Sequence, residues 1–189
     1  MNLAASTHRH IPMFLRSIVP LDPESEAQMA ELNRLAATKG WRAALQQVTG
    51  ESGAAPSALL ASLPITDKSN VLEIGCGLGN LTEALARRAR SVSVLEIEPS
   101  SAQFVAERCR QEGLANVFTF IGGDDCRLPF GADTFDVIVV NPSLERCAAR
   151  FHDGSAADAQ HRLLEEIRFV MRPGGTYHLA TKTPLAAIA

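Results

Sequence analysis

The sequence predicts an α/β chain: a doubly wound, mainly parallel sheet with helices on both faces, preceded by a helical N-terminal extension. Two observations carry that expectation. From Asn70 onward, short apolar runs alternate with stretches of helical period. Strand–helix repeats of this length imply right-handed βαβ units and a parallel sheet. A turn with glycine at every second position, Gly75, Gly77 and Gly79, joins the first apolar run to the first of those helices.

The first fifty residues read as helical. Asp22 is a candidate N-cap with Pro23 at the first helical position. Met29, Leu32 and Leu35 recur at helical spacing, and Gly40 is a stop signal. Trp41, Ala44, Leu45 and Val48 then share one face of a second helix, on which the tryptophan is expected to pack rather than to line a pocket. The stretch GESGAAPS is rich in turn formers and marks a boundary. A short helix, SALLASL, ends at Pro64.

Beyond that boundary, VLEI reads as the first strand, followed by a helix through Leu81, Ala84 and Leu85. SVSVLEI is the second strand. Pro99 opens the next helix, Glu98 caps it and Gly113 closes it. NVFTFI and FDVIVV are the third and fourth strands. A helix with a capping-box start, Ser155 to Asp158, turns Leu163, Leu164, Ile167 and Val170 to a core and runs to Met171. PGG then breaks the chain before a fifth strand, TYHLAT. Arg87, Arg88 and Arg90 cluster at a helix end, where they complement the helix dipole.

Composition narrows the function classes. The chain has 189 residues, enough for one domain with its own core. A formal net charge of −3 argues against a nucleic-acid partner. No apolar run is long enough to span a bilayer, and the first twenty residues lack a long apolar core and a cleavage site. A cytoplasmic chain is expected. The four cysteines form no CxxC pair and the five histidines no zinc-ligand spacing, so no metal site is expected.

The glycines carry the functional signal. In a doubly wound sheet the ligand lies at the carboxyl ends of the strands, where strand order reverses. Glycine permits positive φ and close approach of backbone to a ligand, and a helix N-terminus favours an anionic group. The spacing here is G-x-G-x-G, with Asn80 where the dinucleotide fingerprint has its last glycine. Glu96, about twenty residues further on, can accept from both hydroxyls of a ribose, which suits NAD and other ribosides alike.

VLEIGCGLG, LEIEPS, GGDDCRLPFGADTFDVIVVN and MRPGG, in this order, resemble the class I S-adenosylmethionine-dependent methyltransferases with their Rossmann-like core. The resemblance covers about Asn70 to Thr181. It implies that Gly75, Cys76, Gly77 and Gly79 pass under the methionine part of S-adenosylmethionine, and that Glu73 helps order its amino group. It implies that Glu96 holds the ribose, that Asp124 and Asp125 meet the adenine edge, and that Ile97 and Cys126 flank the ring. Asn141 would line the path to the sulfonium. Residues 1–55 would then be a helical extension or lid, and residues 56–189 the cofactor-binding core.

Methyl transfer from a sulfonium is an in-line displacement, so the protein mainly positions the acceptor and excludes water. A general base is needed only for a protonated acceptor. Asn141, Glu145 and His152 are the candidate catalytic residues, with Asp153 as a further candidate base. The segment after Asn141 resembles, more loosely, methyltransferases of cell-surface polysaccharide and glycosyl-transfer pathways, which implies a small-molecule substrate, a sugar or lipid-linked intermediate. NPS is similar to the N-P-P-aromatic motif of methyltransferases acting on planar nitrogens, but Ser143 and Leu144 replace its last two residues. Two other readings stand beside this one: a catalytically weak cofactor-binding module that regulates a partner, and a nicotinamide dehydrogenase, against which the glycine spacing speaks. Family members add two strands after the fifth, whereas KTPLAAIA alone follows TYHLAT. An open sheet edge is therefore expected, with a homo-oligomer formed through it or pairing of that edge with the N-terminal segment.

Overall fold

The computed structural model describes residues 23–55, 57–122, 127–141 and 156–180. Its elements in chain order are α1 (Pro23–Lys39), α2 (Trp41–Thr49), α3 (Ser57–Ser62), β1 (Asn70–Ile74), α4 (Asn80–Ala86), β2 (Ser91–Glu96), α5 (Pro99–Gln111), β3 (Val117–Ile121), β4 (Phe135–Val140), α6 (Ala156–Val170) and β5 (Met171–Leu179). The strands form one five-stranded sheet in the order β3-β2-β1-β4-β5, and every neighbouring pair is parallel.

Strand β1 lies at the centre, with Ile74 opposite Leu95 of β2 and Val140 of β4. Its residues from Val71 to Ile74 are all buried, as expected for a strand covered on both faces. The period of two sorts the strands' side chains. Val71, Val92, Val94, Val137 and Val139 pack on one face with Leu85 of α4 and Val105 of α5. Leu72, Ile74, Leu95, Ile138 and Val140 pack on the other with Leu163, Ile167 and Val170 of α6. Leu164 is only half-buried, at the margin of the α6 stripe.

A third layer covers α5. Leu32, Leu35, Trp41, Ala44 and Leu45 of α1 and α2 enclose Phe104 of α5. Gln111 fixes the corner between the two helices: its side-chain oxygen accepts from Trp41 N at 2.8 Å and its amide donates to the Ala36 carbonyl at 2.8 Å. The expected start of α5 is present, with Glu98 Oε1 accepting from Ser100 N at 2.9 Å and Pro99 at the first turn. Asp22 and Ser155, the expected caps of α1 and α6, lie outside the described residues.

The junction between α6 and β5 differs from the expected one. Helix α6 ends at Val170, and β5 begins at Met171 rather than after PGG. Met171 pairs with Phe135 and Thr176 with Val137, so residues 172–175 bulge out opposite Asp136 alone. The bulge is held because Arg172 Nη1 donates to both Asp136 oxygens at 3.0 and 3.1 Å, while Asp136 Oδ2 also accepts from Asn70 N at 2.8 Å. Two arginines of the cluster after α4 have particular partners. Arg87 binds Glu83 and Glu112 at 2.9 and 2.7 Å, Arg88 donates to the Leu60 carbonyl, and Arg90 is exposed.

Candidate functional site

The chain leaves the carboxyl edge of β1 through the glycine loop. Gly75 N donates to Leu95 O at 2.8 Å, which continues the β1–β2 ladder by one residue. On the other side of β1, Asn141 N donates to Ile74 O at 2.8 Å. The loops after β1 and β4 therefore part at the centre of the sheet, and a crevice opens between them.

Gly75, Gly77 and Gly79 have φ of 79°, 52° and 75°, so the loop turns back on itself at each. Gly79 is also the N-cap of α4 and lies against α5, where an added Cβ would stand 2.9 Å from Val105 Cγ2. A side chain here meets both an unfavourable φ and a filled space. Gly79→Ala should lower stability by about 1–3 kcal/mol, read as a shift of the urea midpoint.

Two buried carboxylates frame the loop. Glu96, at the end of β2, accepts from Cys76 N at 3.0 Å and Gly77 N at 3.3 Å through Oε2, and from Ile97 N at 2.9 Å and Glu98 N at 3.2 Å through Oε1. It clips the loop to the second strand. The Cys76 thiol stands 3.4 Å from the same Oε2, and burial with the adjacent negative charge holds it well above the ordinary thiol range. Glu73, on β1, is 2% exposed, and the Thr82 hydroxyl donates to its Oε2 at 2.5 Å. Burial raises the Glu73 carboxyl to about 8, and the charge of Glu96 acts in the same direction.

A cavity of about 280 Å³ lies over the loop. Glu73, Gly75, Cys76 and Gly77 line it, with Asn80 and Leu81 of α4, Asn141 after β4, and Glu51 and Ala54 from the segment after α2. The structure thus brings together five of the residues singled out in the sequence: Glu73, Gly75, Cys76, Gly77 and Asn141. Gly79 supports the loop from below, Glu96 holds it from the β2 side, and Ile97 is half-buried against the α6-side core. Asp124, Asp125, Cys126, Glu145, His152 and Asp153 lie outside the described residues. In the sequence Asn80 stands out only by its place in the glycine spacing, and Glu51 and Ala54 not at all. Asn80 follows the last loop glycine and so had a positional signal, whereas Glu51 and Ala54 reach the site by tertiary packing alone. Among the described residues no cluster of three metal-ligating side chains occurs, and no helix is long and apolar enough to cross a membrane.

A parallel sheet in this order, with a glycine loop after the central strand and a carboxylate ending the next, defines a doubly wound protein built to hold a nucleoside-containing ligand. Residues 72–179 match the methyltransferase domain family, and the chain belongs to that family, the class I S-adenosylmethionine-dependent methyltransferases. Over 121 residues it is 34% identical to a probable phthiotriol/phenolphthiotriol dimycocerosates methyltransferase of Mycobacterium ulcerans, which covers 63% of this chain and 42% of that protein. Over 183 residues it is 28% identical to the biotin biosynthesis bifunctional protein BioHC of Cellvibrio japonicus, 96% of this chain and 34% of that one. A solved S-adenosylmethionine-dependent methyltransferase from Aquifex aeolicus superposes with a TM-score of 0.57 at 16% identity, covering 85% of this chain and 72% of that one, a likeness of fold. The chain spans less than half the length of the curated relatives it matches.

The residues present fit the family's cofactor. The loop backbone is open at Gly77, where no atom lies within 4 Å of an added Cβ, and a buried carboxylate with a single hydroxyl partner faces the same cavity.

Proposed function

We propose that the chain binds S-adenosylmethionine along the carboxyl edge of the sheet and methylates a small molecule, of the sugar or lipid-linked class. The observation that carries this reading is the cavity between the glycine loop and Asn141, with Glu73 buried in its wall. An ammonium group is the natural partner for that carboxylate, because it compensates the charge that burial disfavours. Glu96 supplies the ribose contact by exchanging its longer bonds, 3.3 Å to Gly77 N and 3.2 Å to Glu98 N, for two hydroxyl donors. Asp124 and Asp125 meet the adenine edge, and Ile97 and Cys126 flank its ring.

The bound sulfonium supplies an already activated methyl group. What remains for the protein is to hold the acceptor in line and keep water out. Asn141 takes the first task, a role supported by its backbone bond to Ile74 at the end of β4 and its place in the cavity wall. Glu145 and His152 are the candidates for removing a proton when the acceptor is a hydroxyl. A lipid acceptor finds support in the relative from Mycobacterium ulcerans, whose name specifies phthiotriol dimycocerosates.

Calorimetric titration tests the reading. S-adenosylmethionine and S-adenosylhomocysteine should bind with micromolar affinity and NADH should not bind. Heat from NADH alone would overturn the assignment.

A further inference from the structure

Arg108 is the most deeply buried charged side chain among the described residues, 1% exposed, and it lies outside the cavity. From α5 its guanidinium reaches three other segments. Nη1 donates to the Leu78 carbonyl and to Asn80 Oδ1, both at 2.8 Å. Nη2 donates to the Gly53 carbonyl at 2.7 Å and to Glu83 Oε2 at 3.0 Å, and Nε donates to the same oxygen at 3.2 Å. All five donors of the fork are used. The guanidinium also lies 3.7 Å from the centre of the Trp41 ring, on α2.

The identity of the acceptors is the informative part. Leu78 and Asn80 line the cavity from the glycine loop and the start of α4. Gly53 sits between Glu51 and Ala54, which line it from the N-terminal segment. Gly53 has φ +75°, and a Cβ there would stand 2.7 Å from Trp41 Cζ3, so its backbone passes flat against the tryptophan. One buried cation thus joins the part of the cavity wall that precedes the sheet to the glycine loop and the start of α4, and Trp41 backs it. A buried guanidinium tolerates no unmet donor, so its acceptors hold position together.

We propose that Arg108 is a positioning residue for cofactor binding. It latches the segment carrying Glu51 and Ala54 to the glycine loop, so that the loop and the outer wall of the cavity close as one unit. The inference rests on the placement of the cofactor in this cavity.

Trp41 is the sole tryptophan and does not line the cavity, so its fluorescence reports the latch rather than ligand contact. The experiment titrates the full chain with S-adenosylhomocysteine, following heat and Trp41 fluorescence in parallel, in the wild type, Arg108→Lys and Gly53→Ala. Lysine keeps the charge but offers its donors from one point, so it cannot reach Leu78 and Gly53 together. Gly53→Ala displaces the outer wall while leaving Arg108 intact. The wild type should give a saturable fluorescence change with the calorimetric midpoint. Both variants should bind about tenfold more weakly, with the fluorescence change lost in Arg108→Lys. Wild-type binding heat with a silent Trp41 overturns the latch and leaves the cofactor site standing. Either variant, folded by circular dichroism and binding as the wild type does, also overturns it. Should Arg108→Lys fail to fold, the wild-type response and Gly53→Ala decide. Absence of wild-type heat overturns the latch and the cofactor placement together.

Discussion

Glu96→Ala should weaken S-adenosylmethionine binding by about 1.5–3 kcal/mol, roughly 10- to 150-fold in affinity, the expected loss for the charge-assisted hydrogen bonds proposed to the ribose. The structure adds a second source of loss. In the free chain the same carboxylate accepts from Cys76 N and Gly77 N, and so holds the loop against β2 before any ligand arrives. Alanine removes the clip as well as the ribose acceptor, and the loop must then be ordered by the cofactor at the expense of affinity. Calorimetric titration of the variant against the wild type reads the difference, and unchanged affinity would remove Glu96 from the site. Glu96→Gln separates the two roles, since it keeps an acceptor for the loop but lacks the charge.

The second large effect is a pH dependence at Glu73. Its carboxyl ionises near 8 in the folded chain against an ordinary value of 4.5, because burial disfavours the charged form. A folded value above the unfolded one means that the contribution to stability is complete below pH 4.5 and is lost as pH rises through 8. The loss amounts to about 4–5 kcal/mol at most. In Glu73→Gln that dependence should vanish, and urea midpoints measured between pH 5 and pH 9 should flatten. The same group links cofactor binding to protons. With its carboxyl raised to about 8, Glu73 is mostly protonated at pH 7, and an ammonium placed beside it favours the carboxylate, so binding should release a proton. Titrations in buffers of different protonation heat measure the release. A wild type whose binding heat ignores the buffer would show that no ammonium meets Glu73.

Much of the fold was legible because its signals are local. A strand covered on both faces is mostly apolar, and VLEI, SVSVLEI and FDVIVV show it in a few residues each despite Glu73, Glu96 and Asp136. Glu98 and Pro99 announce α5 through the chemistry of a helix start. The alternating glycines announce the loop because three positive φ values in five residues admit little else. Other features have no local signature. The bulge in β5 depends on Asp136 capturing Arg172 across the sheet, and PGG alone reads as a break before the strand. Arg108 looks like one more charged residue on an amphipathic helix. Two of its acceptors are main-chain carbonyls, at Leu78 and Gly53, and any sequence supplies those. Glu51 enters the cavity wall only because α1 and α2 dock on α5 and return the chain to the sheet edge.

The central position of β1 has a consequence for the chain while it is being made. Its partner β4, and the Asp136 side chain that anchors Asn70, come 66 residues later. When β1 and β2 have left the ribosome, one side of β1 is paired and the other still presents a bare apolar edge. That edge stays open through the synthesis of α5 and β3, and such edges recruit other chains. The half-made protein thus carries a central strand with one unpaired edge that the finished sheet covers.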